Sequence, residues 1–319
     1  MAVIIVTYGV PSDGFAPLAG HTVHIAPKGE HYSREELFRL LPEADAVVAC
    51  KAFTREMIEA APQLKLIVCY GAGYDSIDVA AATEHGIMVA NTPDCVTAPT
   101  AELAIAHIMA LARRLIEFNQ RVRTMKPEDL FVMGKYMGTS LEGATLGIVG
   151  MGRIGGKVAD FGRLMGMCVL YTARSAKPER DALGDERVSL ETLMEQSDFI
   201  SLHCPHTPET HHIISADMIS RMKPSAFLVN TARGPVVDED ALIKALREKR
   251  IAGAALDVYT GEPNVDPRFF ELDNVHLTPH VGSNTLHVRN QMAHAASERI
   301  LDVLDGRLPQ NLINPEVLR

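Results

Sequence analysis

The sequence predicts an α/β protein of two doubly wound, parallel-sheet domains. Short apolar runs alternate with helix-patterned stretches along almost the whole chain, as strands and crossover helices do in parallel sheets. Near mid-chain a glycine turn breaks the alternation: Leu146 to Ala159 reads LGIVGMGRIGGKVA. The length of 319 residues, with a hydrophobic fraction of 47%, is enough for two cores.

Taken in order, residues 2–8, 21–25, 45–49, 64–69 and 87–90 read as strands. Between them, 35–41 is a helix capped by Ser33, and 54–61 and 78–85 are further helices. The strand at 64–69 runs into a turn of small residues, Gly71-Ala72-Gly73, whose backbone an anion can approach. The stretch 97–118 is a long helix with a wide apolar stripe at 101, 104, 105, 108, 111, 112 and 115, and Pro99 suits its first turn. Residues 119–140 read as an irregular surface excursion. The apolar run of Ile148 and Val149 before the glycines and strands at 167–172, 198–203, 226–229, 251–257 and 275–278 then build the second, larger unit, with helices at 189–196 and after Asp238. A closing helix at 284–305 is long enough to return to the first unit. The expected division is therefore 1–98 with 286–319, and 99–285 inserted between them.

Composition excludes several classes of function. Thirty-one basic against 40 acidic residues give a net charge of −9, which argues against nucleic acid and anionic membrane surfaces as partners. The start, MAVIIVTYGV, lacks a basic region before its apolar run, and no uninterrupted apolar stretch is long enough to span a bilayer. The five cysteines are odd in number, widely spaced and form no C-x-x-C, so reduced thiols in a cytoplasmic protein are expected.

The glycine turn is G-x-G-x-x-G in the context that gives it meaning, with Ile148 and Val149 before it and Val158, Phe161 and Leu164 on a helix after it. Gly150 allows the tight turn, Gly152 lets a pyrophosphate approach the backbone, and Gly155 lets helix and strand pack closely. Arg153 and Ile154 open the helix, whose N-terminus favours phosphate. The site is thus expected to be Rossmann-like and to bind a dinucleotide. In an NAD site a carboxylate at the end of the second strand accepts from the ribose 2′-hydroxyl. Here that position reads Tyr171-Thr172-Ala173-Arg174-Ser175, with no acid. A guanidinium and a hydroxyl suit a 2′-phosphate, so NADP(H) is expected over NAD(H), which stays possible.

Three polar residues stand at the ends of successive strands of the second unit: Arg233 in NTARGP, Glu262 in YTGEP and His280 in TPHVGS. Arg offers a planar fork for a carboxylate, His exchanges a proton near neutral pH, and a neighbouring Glu stabilises the imidazolium. Singly, each is an ordinary turn residue; the three together with the dinucleotide motif point to hydride and proton transfer. His203, His206, His211 and His212 have no metal-site spacing, so no metal is expected, and Cys204 reads as a buried structural thiol.

These residues resemble the D-isomer-specific 2-hydroxyacid dehydrogenases over nearly the whole chain. The likeness rests on GAGYDSID (71–78), TAELAIAHIMALARR (100–114), LEGATLGIVGMGRIGGKVA (141–159), LHCPHTPETHHII (202–214), FLVNTARGPVVDEDALIKAL (227–246), LDVYTGEP (256–263) and LTPHVGSNT (277–285). It is nearest the glyoxylate/hydroxypyruvate reductase branch, where Arg-Ser after the second strand accompanies NADP use. The resemblance implies that Arg233 grips the substrate carboxylate, that His280 is the acid/base with Glu262 its partner, and that Gly71, Ala72 and Gly73 also hold the carboxylate. It implies that Thr100, Pro205, Thr231, Asp257 and Gly282 line the cofactor beside the glycine motif, Arg174 and Ser175. It further implies a cleft between the domains, a homodimer, and reduction of a small 2-oxo acid to a D-2-hydroxy acid. Two alternatives are a dehydrogenase of another anion such as phosphite, and a non-catalytic, cofactor-sensing corepressor. One departure stands out: members often carry Trp in the excursion, whereas this chain has none and presents Leu130, Phe131, Met133, Tyr136 and Met137 there.

Overall fold

The computed structural model describes residues 1–126, 128 and 132–319; the expectation attached to Leu130 and Phe131 falls outside them. Contacts divide the chain into two units, Met1–Pro99 with Ser283–Arg319, and Thr100–Gly282.

In the first unit, β1 (Val3–Val6), β2 (Thr22–Ile25), β3 (Ala46–Ala49), β4 (Leu66–Cys69) and β5 (Met88–Asn91) form a parallel sheet in the order β2-β1-β3-β4-β5. Runs such as VIIV, AVVA and LIVC are apolar at every position because both faces of the sheet are covered. The period of two divides them. Ile4, Val6, Val48, Leu66 and Val68 pack under Val288, Met292, Ala293, Ala296 and Ile300 of the helix Leu286–Leu304. Ile5, Val47, Ile67 and Val89 pack on the opposite face against Leu37, Leu41, Ile58 and Ala81. The expected cap at Ser33 is a full capping box: Ser33 Oγ accepts from the Glu36 amide, and Glu36 accepts from the Ser33 amide.

In the second unit, β6 (Thr145–Val149), β7 (Cys168–Thr172), β8 (Glu186–Arg187), β9 (Phe199–Leu202), β10 (Phe227–Asn230), β11 (Gly253–Leu256) and β12 (Val275–Leu277) form a parallel sheet in the order β12-β11-β10-β9-β6-β7-β8. Its helices include Arg153–Leu164, Leu190–Gln196 and Glu239–Arg247, the last capped by Asp238 as expected. Two parallel-sheet α/β units thus carry the predicted fold class.

The long helix differs from expectation at both ends. It spans Pro93–Ala112, so Pro93 takes the first turn and Pro99 lies inside the helix. It stops because the Thr139 amide occupies the Ala112 carbonyl at 2.8 Å, and Gly138 approaches so closely that a Cβ would lie 2.5 Å from that oxygen. Arg114 turns left-handed (φ 52°), and a second helix, Leu115–Thr124, runs through what the sequence reading left irregular. Leu115 therefore leaves the stripe and is exposed. Among the described residues, Pro93–Ala112 is the one helix long and apolar enough to cross a membrane. Half of it is buried, however, and Ala101, Ala104, Ile108, Leu111 and Ala112 belong to a core cluster with Leu146, Ile148 and Val158.

Ile300 is fully buried on the returning helix. Ile300→Ala should cost about 2–5 kcal/mol, read by urea unfolding; a loss of less than about 0.5 kcal/mol would contradict this packing.

Candidate functional site

Ligands of open parallel sheets bind beyond the carboxyl ends of the strands, where the strand order reverses. In the second unit β6 lies between β9 and β7, and the glycine motif follows β6 directly. Gly150 has φ +99°, and a Cβ there would lie 2.6 Å from the Cys204 amide nitrogen, so only glycine fits. A Cβ at Gly155 would lie 2.3 Å from the Gly150 carbonyl oxygen, which sets the close contact between helix and turn. Gly152, by contrast, has nothing within 4 Å of its Cβ position, and no side chain caps the helix it precedes. Arg153 is exposed and Ile154 half-buried at the helix start.

Beyond β7, Arg174 and Ser175 are exposed. The Thr207 side-chain hydrogen bond, the Glu209 amide and the Arg174 charge hold the Glu209 carboxyl below the usual carboxylate range. Glu209 follows Pro205 in the turn after β9, so the Arg174 charge reaches a carboxylate distant in sequence. Burial pushes the Cys204 thiol up to about 11, away from a thiolate nucleophile. His203 donates to or accepts from Ser201 Oγ at 2.9 Å, and burial brings it down to about 3. His206 and His211 pair through their rings at 3.2 Å between Nε2 and Nδ1.

Arg233, Glu262 and His280 follow β10, β11 and β12, three neighbouring strands of one sheet. His280 Nδ1 lies 2.8 Å from Glu262 Oε2, and the other oxygen of Glu262 accepts from the Tyr259 amide at 2.9 Å. Burial would raise the Glu262 carboxyl, but the His280 hydrogen bond and charge, the Tyr259 amide and the Arg233 guanidinium outweigh it and hold it low. The Arg233 turn packs on the loop after β11 because Gly234 has no side chain; a Cβ there would lie 1.9 Å from the Tyr259 carbonyl carbon. With Nδ1 of His280 engaged by Glu262, Nε2 is the nitrogen left for proton exchange.

Two residues outside the predicted trio build this geometry. Asn230, buried at the end of β10, donates Nδ2 to the Arg233 carbonyl at 2.9 Å and accepts from the Ala232 amide at 3.0 Å, pinning the turn. An Asn at a strand end before a turn is a readable signal for this. Asp257, expected to line a cofactor, acts first as an anchor. It is 1% exposed, and its carboxylate accepts from Thr278 Oγ1 at 2.6 Å and from the Val281 and Gly282 amides at 2.9 Å each. Its carbonyl accepts from the His280 amide at 2.8 Å. His280 itself is held at φ +53° by this anchor. A Cβ at Gly282 would lie 3.4 Å from Thr100 Oγ1, so these two expected cofactor-lining residues are neighbours. Thr231 Oγ1 is buried without a hydrogen-bond partner.

In the first unit the Gly71–Gly73 turn follows β4, with Gly71 at φ +148°, and its three residues are partly buried.

The sequence model for the NAD-binding domain of D-isomer-specific 2-hydroxyacid dehydrogenases matches residues 105–282. The chain belongs to that family. It is 45% identical over 291 residues to a glyoxylate reductase of Thermococcus litoralis, covering 89% of this chain and 88% of that one. Its fold matches a glyoxylate reductase from Paecilomyes thermophila (TM-score 0.85, 31% identity, 99% and 98% covered). It also matches an NADPH-dependent glyoxylate/hydroxypyruvate reductase from Sinorhizobium meliloti solved with citrate (TM-score 0.84, 27% identity, 99% of each chain covered). The 2-hydroxyacid dehydrogenase is thus a 2-oxoacid reductase that uses a nicotinamide cofactor. The open space at Gly152, the uncapped helix start and the orphaned Thr231 hydroxyl fit such a dinucleotide.

Because its carboxyl is lowered in the folded protein, Glu262 adds stability above the ordinary carboxylate range, and that stability is lost as pH falls through the lowered value. Urea midpoints of wild type and Glu262→Gln should differ at neutral pH, with wild type higher, and converge as pH falls through that lowered value. A constant offset across that range would contradict the ion pair.

Proposed function

We propose that this dehydrogenase reduces glyoxylate, hydroxypyruvate or a closely related small 2-oxo acid to the D-2-hydroxy acid, with NADPH preferred to NADH. The observation that carries the reading is the 2.8 Å contact between His280 and Glu262 on strand ends of the sheet that bears the glycine motif. The reduced nicotinamide, when bound, supplies the hydride to C2 of the substrate. His280 gives the proton to the oxygen on C2, and Glu262 stabilises the imidazolium from which it comes. Arg233 binds the substrate carboxylate, and the amides of the Gly71–Gly73 turn do so as well. The stereochemical course is assigned as D on family membership.

The preference for NADPH rests on Arg174 and Ser175 beyond β7, where an NAD site carries an acid. It draws further support from the relative described as NADPH-dependent.

His280→Ala should lower kcat by about 10³-fold while leaving the cofactor Kd within about twofold. Arg233→Ala should lower kcat/KM for glyoxylate by about 10²-fold or more. Wild-type kcat in the His280 variant would refute the mechanism. Arg174→Ala should raise the KM for NADPH about tenfold and leave that for NADH unchanged. A wild-type KM lower for NADH than for NADPH would refute the cofactor preference.

A further inference from the structure

The Gly71–Gly73 turn is held from behind by three side chains that touch no predicted catalytic group. Register places two of them: Cys69 ends β4, Asn91 ends β5, and the two are paired across the sheet. Asn91 Nδ2 donates to the Ala72 carbonyl at 2.7 Å. Cys69 Sγ donates to the Gly73 carbonyl at 2.8 Å. The Thr92 amide donates to the Gly71 carbonyl at 2.9 Å, while Thr92 Oγ1 accepts from the Gly71 amide at 3.0 Å. Every carbonyl of the turn is therefore drawn to the protein side.

Peptide planarity converts this into a statement about donors. In a trans peptide the N–H points opposite to the preceding C=O. Thr92, by holding the Gly71 carbonyl, aims the Ala72 N–H outward. Asn91, through the Ala72 carbonyl, aims the Gly73 N–H, and Cys69, through the Gly73 carbonyl, aims that of Tyr74. Among the described residues these three amides have no acceptor. Consecutive outward N–H groups form an anion cradle whose strength depends on their not having to reorganise. Asn91 and Thr92 are buried, and Arg299, 4% exposed, fixes the backbone beneath by donating Nε to the Asn91 carbonyl at 3.3 Å and Nη1 to the Ala295 carbonyl at 3.0 Å.

We propose that Asn91, with Cys69 and Thr92, is a positioning residue for the substrate carboxylate: it locks the Gly71–Gly73 turn with its amides outward and so sets substrate affinity without touching substrate. The proposal rests on the assignment of that turn to the carboxylate. It predicts an effect on KM rather than on turnover, because the donors serve the carboxylate and not the oxygen on C2.

The test measures kcat, KM for glyoxylate, Ki for oxamate and the Kd of NADPH in the full-length enzyme. Asn91→Leu removes the donor at similar volume. It should raise KM and the oxamate Ki about tenfold, with kcat within about threefold and NADPH affinity unchanged. Cys69→Ala should raise KM several-fold, and Cys69→Ser, which restores a donor, should return it toward wild type. Gly73→Pro, which deletes the N–H that Asn91 aims, should raise KM at least as far as Asn91→Leu. Unchanged KM and Ki in Asn91→Leu overturn the proposal, as does a fall in kcat and thermal midpoint with KM unmoved, the mark of a merely structural residue. A Gly73→Pro enzyme with wild-type KM overturns its premise, that the turn holds the carboxylate. The inactive His280→Ala enzyme would still stand in either case, so failure here is separable from failure of the catalytic reading.

Discussion

A buried carboxylate fixes the geometry on which the candidate chemistry depends. Asp257 sits at the end of β11 and gathers three donors from the segment after β12, while its own carbonyl takes the His280 amide. A carboxyl group this deep in a protein is tolerated only when its lone pairs are satisfied, and here two backbone amides and a hydroxyl do so. The arrangement holds His280 at positive φ, a conformation a non-glycine residue keeps only when its surroundings over-determine it. The strain brings Nδ1 within 2.8 Å of Glu262, itself steadied by the Tyr259 amide. The link continues inward, since Thr278 Oγ1 also meets Nε2 of the buried His107 at 3.2 Å, tying the turn to the long helix.

Much of this was legible because local signals and long-range structure agreed. The strand runs, the Ser33 capping box and the glycine motif each state their own geometry, and the contacts of Gly150 and Gly155 show the tight turn and the close packing expected of them. The Glu262–His280 pair was readable only as chemistry that needs proximity, and the sheet order supplies that proximity. What was hidden came from tertiary override. Nothing in ALARRLIEF announces a left-handed Arg114. The break arises because the Thr139 amide takes the Ala112 carbonyl and because Glu117 grips the Arg114 guanidinium through two bonds of 2.7 Å. The reach of the Arg174 charge to Glu209, 35 positions later in the chain, was hidden for the same reason.

The two sheets also reuse one local device. Asn91-Thr92 closes the edge strand β5, and Asn230-Thr231 closes the inner strand β10. In both, the Asn amide donates back to a carbonyl of a functional turn, Ala72 in one unit and Arg233 in the other. A side-chain amide suits this position because a strand's last residue has a turn beside it, the neighbouring strand's at Asn91 and its own at Asn230, whose carbonyl has no ladder partner. The cost of burying the amide is offset by the hydrogen bonds it makes, and the return is a turn with one conformation.

The threonines then part company, and the difference is informative. Thr92 Oγ1 is satisfied inside its own unit by the Gly71 amide. Thr231 Oγ1 is also buried and, among the described residues, has no such partner. A hydroxyl left unsatisfied in a protein interior costs roughly 1–3 kcal/mol, so folds retain one where a group from outside completes it. The same motif is thus closed at Thr92 and, among the described residues, open at Thr231. Gly152 marks the matching contrast among the glycines: Gly150 and Gly155 are packed against the protein, and Gly152 faces space. Thr231 and Gly152 both lie in the unit that the NAD-binding domain model matches.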